Sequence, residues 1–381
     1  MKNFTLTICL ILLLVSCGSQ STTTATLFPE NNSEKALKYT VKIDTLVIND
    51  STTSFIGKTF IDEKNIYFAD QFFNYVYKFD TQGKLTGRYL GSGKSNKELA
   101  VGNFNGAAMF TDDARTVYLG HQIDVHLYDP AFEKIKTFQI QNYLDNIDPK
   151  ANPYDTPKGY TYALDNFVIR GISDAIYINI YADVSGRNPV EFPQAYYTNG
   201  HPIMKIGLGS NKVEGLLWNF PPAYSENYGD KGILFHVLFD VDKAGNFYIC
   251  CEADSTIYSY DKDFNPIGAC GYQGSDMDTQ YAKVASYADA NNVWEETRKK
   301  GLYQWLEYID QTGLLFRTYS KSADADTWGL QVFLDNSMVA HADVPVGLKV
   351  IGYIDPYYYG EIIADPDKKT MKILRFKLDK K

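Results

Sequence analysis

The sequence predicts an all-β chain folded as a six-bladed β-propeller, and three observations carry that expectation. Aromatic residues make up 15% of the 381 residues, with 30 Tyr and 22 Phe, and such side chains favour half-buried pleated strands. Short alternating runs recur in pairs. Ile66-Tyr-Phe-Ala-Asp70 precedes Tyr75-Val-Tyr-Lys-Phe-Asp80, Val117-Tyr-Leu-Gly-His121 precedes Val125-His-Leu-Tyr-Asp129, and Phe247-Tyr-Ile-Cys-Cys251 precedes Ile257-Tyr-Ser-Tyr-Asp261. Turn chemistry, such as Asp80-Thr-Gln-Gly83 and Asp261-Lys-Asp-Phe-Asn-Pro266, closes each pair. A constant core at unequal intervals reads as one supersecondary unit carrying insertions. Each four-stranded meander has an apolar face it cannot bury alone, and radial stacking buries it.

Residues 1–16 stand apart from this pattern. Lys2 supplies a positive start, and Leu6 to Val15 is an apolar run too short to span a bilayer but suited to a signal peptide. Its end, Leu14-Val15-Ser16-Cys17, resembles a bacterial lipobox. That resemblance implies cleavage before Cys17 and attachment of acyl chains to it, a stable membrane anchor. Residues 17–38, rich in Ser and Thr, read as a lipidated tether, and residues 39–381 as a single propeller domain.

Six units follow, over residues 55–90, 107–140, 165–217, 233–270, 302–343 and 349–378. The alternating run Val41 to Ile48 is unattached at the front, and Met371 to Leu378 alternates at the end. Pairing these two in one sheet closes the ring. Seven blades also fit, because the third and fifth units are stretched. Residues 276–305, dense in Ala, Glu and Lys at their middle, predict a short helical insertion. Residues 142–164, with Pro149, Pro153 and Pro157, read as loop.

The chain resembles the uncharacterised six-bladed propeller lipoproteins of Bacteroides-type bacteria, within the TolB-like and NHL-like propellers. The features that carry this are the lipobox at Cys17, the strand ending Tyr77 to Asp80 and the loop Leu90 to Glu98. The Leu315-Phe-Arg317 strand, Asp355-Pro-Tyr-Tyr-Tyr359 and Arg375-Phe-Lys-Leu378 complete it. The resemblance implies fold and compartment, and brings no catalytic set.

Charge and motifs exclude several functions. A net charge of −9 leaves no basic surplus for a phosphate backbone, so nucleic acid is not an expected partner. Gly91-Ser-Gly-Lys-Ser95 suggests a phosphate loop, but the required first glycine position holds Arg88. The five His form no metal-binding spacing, no Asp-x-Asp-x-Asp-Gly loop occurs, and Gly-x-Ser-x-Gly is absent. No metal or other cofactor is therefore expected. Cys250, Cys251 and Cys270 read as small core residues, with pairing to Cys270 left open. Asp44-Thr-Leu, Asp50-Ser-Thr and Asp254-Ser-Thr match a short O-glycosylation pattern of such envelopes.

Polar residues that interrupt apolar strands are the candidate ligand-binding set. Arg170 and His236 fall in strands placed first in a blade, lining the central channel. His121, Glu252, Arg317 and His341 fall near the ends of second strands. Each needs a partner, either a ligand or an inter-blade hydrogen bond. The expected function is non-enzymatic: a monomeric envelope lipoprotein, anchored in the outer membrane and facing the periplasm, that binds a protein, peptide or glycan. The alternative is a calcium-assisted hydrolase or lactonase-like enzyme with carboxylates from at least three blades converging on the axis.

Overall fold

Each alternating run places one face on a neighbouring sheet, and the outcome is a closed ring of six small sheets. The computed structural model describes residues 28–48, 52–100, 102–120, 124–143, 152–162, 167–231 and 233–381. The apolar leader, Cys17 and His121 lie outside the described residues. No helix among the described residues is long and apolar enough to cross a membrane.

From the axis outward, blade 1 runs Gly57–Ile61, Ile66–Asp70, Tyr75–Phe79 and Leu85–Leu90. Blade 2 runs Phe104–Met109, Thr116–Gly120, Asp124–Tyr128 and Lys134–Gln139. Blade 3 runs Ile169–Ile172, Ala175–Ala182, Ile203–Gly207 and Lys212–Leu217, with Tyr160–Tyr162 pairing the far end of its second strand. Blade 4 runs Val237–Val241, Phe247–Cys251, Ile257–Tyr260 and Pro266–Cys270. Blade 5 runs Tyr303–Ile309, Leu314–Tyr319, Thr327–Leu334 and Ser337–Pro345. Blade 6 takes Val350–Ile354, Tyr357–Asp365 and Thr370–Lys380 from the end of the chain and Tyr39–Ile48 from its beginning. The closing register runs from Tyr39 opposite Lys380 to Ile48 opposite Met371. Six blades, not seven, complete the ring, and the stretched third and fifth units carry insertions.

The recurring Asp after the third strand has a physical role. Asp80 Oδ1 accepts the amides of Gln82 and Lys84, and Asp129 Oδ1 those of Ala131 and Glu133. Asp261 Oδ1 accepts those of Asp263 and Asn265. Each carboxylate thus satisfies two turn amides that the sheet leaves unpaired. Gly83 sits at φ 76° in the first of these turns, whereas Phe132 and Phe264 take the same place at φ 61°. Left-handed backbone costs a phenylalanine roughly 1–2 kcal/mol, offset where the ring packs: Phe132 on Tyr89 at 4.7 Å and Phe264 on Phe247 at 4.6 Å.

Two departures from expectation concern the insertions and the tether. The blade 3 excursion contains helices Pro193–Asn199 and Pro222–Tyr228, absent from the sequence reading. Their Tyr196, Tyr197 and Tyr224 pack with Phe220 as a buried aromatic knot. The expected insertion near 276–305 contains one α-helix, Ala290–Thr297, with a 3-10 turn, Tyr287–Asp289, leading into it. The second departure is that the stretch read as tether joins the ring from Phe28 onward. Phe28 packs on Trp218 and Tyr258, Ser33 Oγ accepts the Gly271 amide at 2.7 Å, and Glu34–Lys35 adds a short parallel strand to the edge of blade 5. Cys250, Cys251 and Cys270 are buried free thiols, and burial pushes Cys250 up to about 12 and Cys270 to about 11. The Gly91 to Ser95 segment forms a turn in which Glu98 Oε2 accepts the Ser95 amide at 2.9 Å, an inter-blade connection with no helix behind it.

Candidate functional site

Innermost strands have one edge paired and the other facing the axis, so their side chains and free backbone edges must find partners across the channel. They enclose a cavity of 480 Å³, within the size range of small-molecule sites, about 300–1,000 Å³. Its rim is formed by loops that follow the first strands, including Asp62 to Asn65, Thr111 to Ala114, Lys243, and Asp310 with Gln311.

One wall is a cross-linked polar cluster from blades 3, 4 and 5. Arg170 Nε donates to Asp240 Oδ1 at 2.5 Å, and its Nη2 to Glu307 Oε2 at 2.6 Å. The remaining oxygen of Asp240 accepts the Tyr308 amide at 2.6 Å, so it also satisfies a free strand edge. The guanidinium lies 5.2 Å over the Trp305 ring, and Trp305 Nε1 donates to the Val350 carbonyl of blade 6. Burial pushes the Glu307 carboxyl well above the usual carboxylate range, against the pull of Arg170 and with the help of the Asp240 and Glu361 charges. Burial raises Asp240 too, opposed by Arg170 and two amides. Asp240 and Glu307 thus hold the guanidinium between blades 4 and 5. Among the described residues no three His, Cys, Asp or Glu side chains are grouped to hold a metal ion.

The opposite wall, from blades 6, 1 and 2, is smooth. Gly106, Ala107, Ala108, Ile351 and Gly352 line it, with Phe167 and Ile61 packed against the two glycines, and Lys58 and Lys349 are its half-buried cations.

The residues singled out in the sequence are scattered. Arg170 lines the cavity as expected of a first-strand residue. His236 differs: it precedes the first strand of blade 4, and its ring lies at 3.2 Å from Glu252 Oε2 and against Trp294 at 5.3 Å, outside the cavity lining. Glu252, just past the second strand, also accepts the His236 amide at 2.9 Å. The two side chains form a buried pair, each 4% exposed. Arg317 is in the second strand of blade 5 and wholly buried. It donates to Gln331 Oε1 and to the Ser255 and Tyr272 carbonyls, and stacks 3.9 Å from the Tyr303 ring, joining blade 5 to blade 4. His341 is in the fourth strand of that blade rather than a second one, with Nε2 at 2.8 Å from the Tyr319 hydroxyl; burial lowers its pKa. Of the described members of the set, Arg170 alone lines the cavity. Asp240, Trp305, Glu307, Lys58 and Lys349 were missed, because nothing local in sequence separates them from ordinary strand and turn residues. The available signal was position: each is in the first strand of its unit or beside it.

No protein-family model matches the chain, and no curated protein matches it in sequence. Solved structures do resemble it. A member of the DUF4221 family from Bacteroides vulgatus superposes with a TM-score of 0.63 at 12% identity, over 91% of this chain and 100% of that one. The ring is built like that DUF4221 protein. A putative exported protein from Bacteroides fragilis superposes at 0.53 with 11% identity, over 92% of this chain and 99% of that one. The virginiamycin B lyase of Staphylococcus aureus reaches 0.43 at 10% identity, covering 89% of this chain and all of the lyase. At such identities the likeness to the DUF4221 and exported proteins establishes the six-bladed fold and leaves chemistry to the residues.

Proposed function

We propose that this protein is an envelope-tethered binding propeller whose small ligand occupies the axial cavity. The observation that carries the reading is the 480 Å³ cavity, walled on one side by a satisfied polar cluster and on the other by small residues and unpaired amines. Satisfied polar groups give a rigid wall, and the open wall supplies space and recognition. Binding is favoured over metal-assisted hydrolysis because the axial carboxylates Asp240 and Glu307 are already engaged by Arg170. The test is thermal. Residues 18–381 are melted alone and with a panel of envelope-type disaccharides and short peptides. A ligand present at 100 times its dissociation constant stabilises by about 2.7 kcal/mol. A panel that leaves the melting temperature unmoved contradicts the reading.

The envelope tether is the second part of the proposal. Its support is the leader with Cys17 at its end and the structural neighbour described as exported. In a bacterial host that lipidates its own lipoproteins, the intact chain is expected to incorporate labelled palmitate and partition with membranes. Cys17→Ala is expected to abolish the label, and equal labelling of both would rule out acylation at this residue.

A further inference from the structure

We infer that the axial cavity, if it is the binding site just proposed, takes an anionic ligand, with a carboxylate, sulfate or phosphate held between Lys58 and Lys349. The lining contains more acids than bases, so a count of charge alone would point to a cation. What matters is which charges the protein has already engaged. Asp62 accepts the Asn65 amide and the Tyr67 hydroxyl, Asp112 the Ser173 amide, and Asp310 the Lys243 amide. Asp113 is paired with Arg115, and Asp240 and Glu307 share Arg170. A carboxylate so engaged offers less to a ligand than a free one; the two remaining lining acids are Glu63, exposed at the rim, and Glu361.

The amines are in the opposite state. Among the described residues, neither Lys58 nor Lys349 has a carboxylate within ion-pair reach; Lys349 Nζ instead rests 5.2 Å over the Trp305 ring. Both side chains are half-buried in the cavity lining, where an ammonium without a counterion has lost hydration and gained nothing ionic in return. They also come from neighbouring strands. The first strands of blades 6 and 1 run side by side in the same direction, and a Cβ on Gly352 would lie 2.9 Å from Ile61 Cβ. Lys349 and Lys58 each come three residues before those contact points. Two ties hold this corner: the Ile362 amide donates to Thr59 Oγ1 at 3.0 Å, and the Glu361 amide to the Lys349 carbonyl at 2.9 Å. The nearby Glu361 carboxylate acts electrostatically on Arg170 and Glu307, across the cavity. At the rim, the exposed amines of Lys64 and Lys243 likewise lack an acidic partner among the described residues and lie on the path of an entering anion.

The experiment is calorimetric titration of residues 18–381 with four probes. They are a glucuronyl-N-acetylglucosamine disaccharide, its neutral glucosyl counterpart, the cationic glucosamine disaccharide, and inorganic phosphate. The acidic disaccharide or phosphate is expected to bind, more weakly as salt rises, and which of the two binds tells a sugar acid from a phosphate group. Lys58→Gln and Lys349→Gln are each expected to weaken that binding about tenfold, the effect of losing one charge-assisted hydrogen bond. Lys262→Gln, in an exposed turn, should bind as the parent does. Melting curves of each variant separate lost affinity from lost fold. Tighter binding of the neutral or cationic disaccharide would overturn the inference while leaving the cavity as a binding site. Silence from all four probes would remove both, and anion binding undiminished in the double lysine variant would place the anion elsewhere.

Discussion

Replacing Leu46 and Ile48 with Asp is expected to leave the chain without a cooperative fold. These two residues occupy the strand that closes blade 6, and both are buried against Met371, Ile373 and the first blade. Truncation of one buried Leu or Ile to Ala costs about 2–5 kcal/mol, and an unpaired carboxylate there adds a desolvation penalty. Two such sites together match the whole stability of an ordinary domain, about 5–15 kcal/mol. The closing strand also joins the two ends of the chain, so its loss exposes the third strand of blade 6 along ten register pairs. The expected result is loss of the thermal transition by circular dichroism and a shift to aggregates in gel filtration. A variant that melts cooperatively as a monomer would show that the ring does not depend on this closure.

Arg170→Met carries the second large effect. The side chains of Arg170, Asp240 and Glu307 are 13%, 4% and 15% exposed, so solvent screens this cluster little. Removing the guanidinium leaves two carboxylates facing each other in a poorly hydrated channel, and breaking a buried pair costs about 3–5 kcal/mol. The urea midpoint should fall accordingly. Adding Asp240→Asn and Glu307→Gln should recover much of that loss, because the orphaned charges are then gone. A triple variant no more stable than Arg170→Met would mean that packing on Trp305, rather than charge, is what Arg170 supplies.

Fold and site were unequally legible, for a physical reason. Blade strands declare themselves by alternation, and turns such as Asp80 to Gly83 by chemistry that is local in sequence. Ring closure was legible because Val41 to Ile48 had no neighbour to pair with. The helices at 193–199 and 222–228 were not, since at two turns each they depend on tertiary packing of Tyr196, Tyr197 and Tyr224 rather than on propensity. The docking of Phe28 to Lys35 was hidden for the same reason: its partners, Trp218, Tyr258, Gly271 and Ser337, are distant in sequence. The site is an assembly of single residues from six strands. Arg170 could be picked out because it breaks an apolar run. The selection of His236 and Arg317 on the same ground found a buried pair within blade 4 and a fastener between blades 5 and 4, because a buried polar side chain needs a partner whether or not it lines a cavity. Lys58 and Lys349 broke no such run, and only the ring brings them to one cavity.

The claim on which the rest depends is that the axis is where this protein binds. Hydrogen exchange of residues 18–381 with and without the stabilising ligand tests it directly. The account predicts slowed exchange in the first strands of blades 6, 1 and 2, at residues 349–354, 57–61 and 104–109, with the outer strands unchanged. Protection confined to outer strands or to the docked segment at 28–38, with the first strands unaffected, would contradict it.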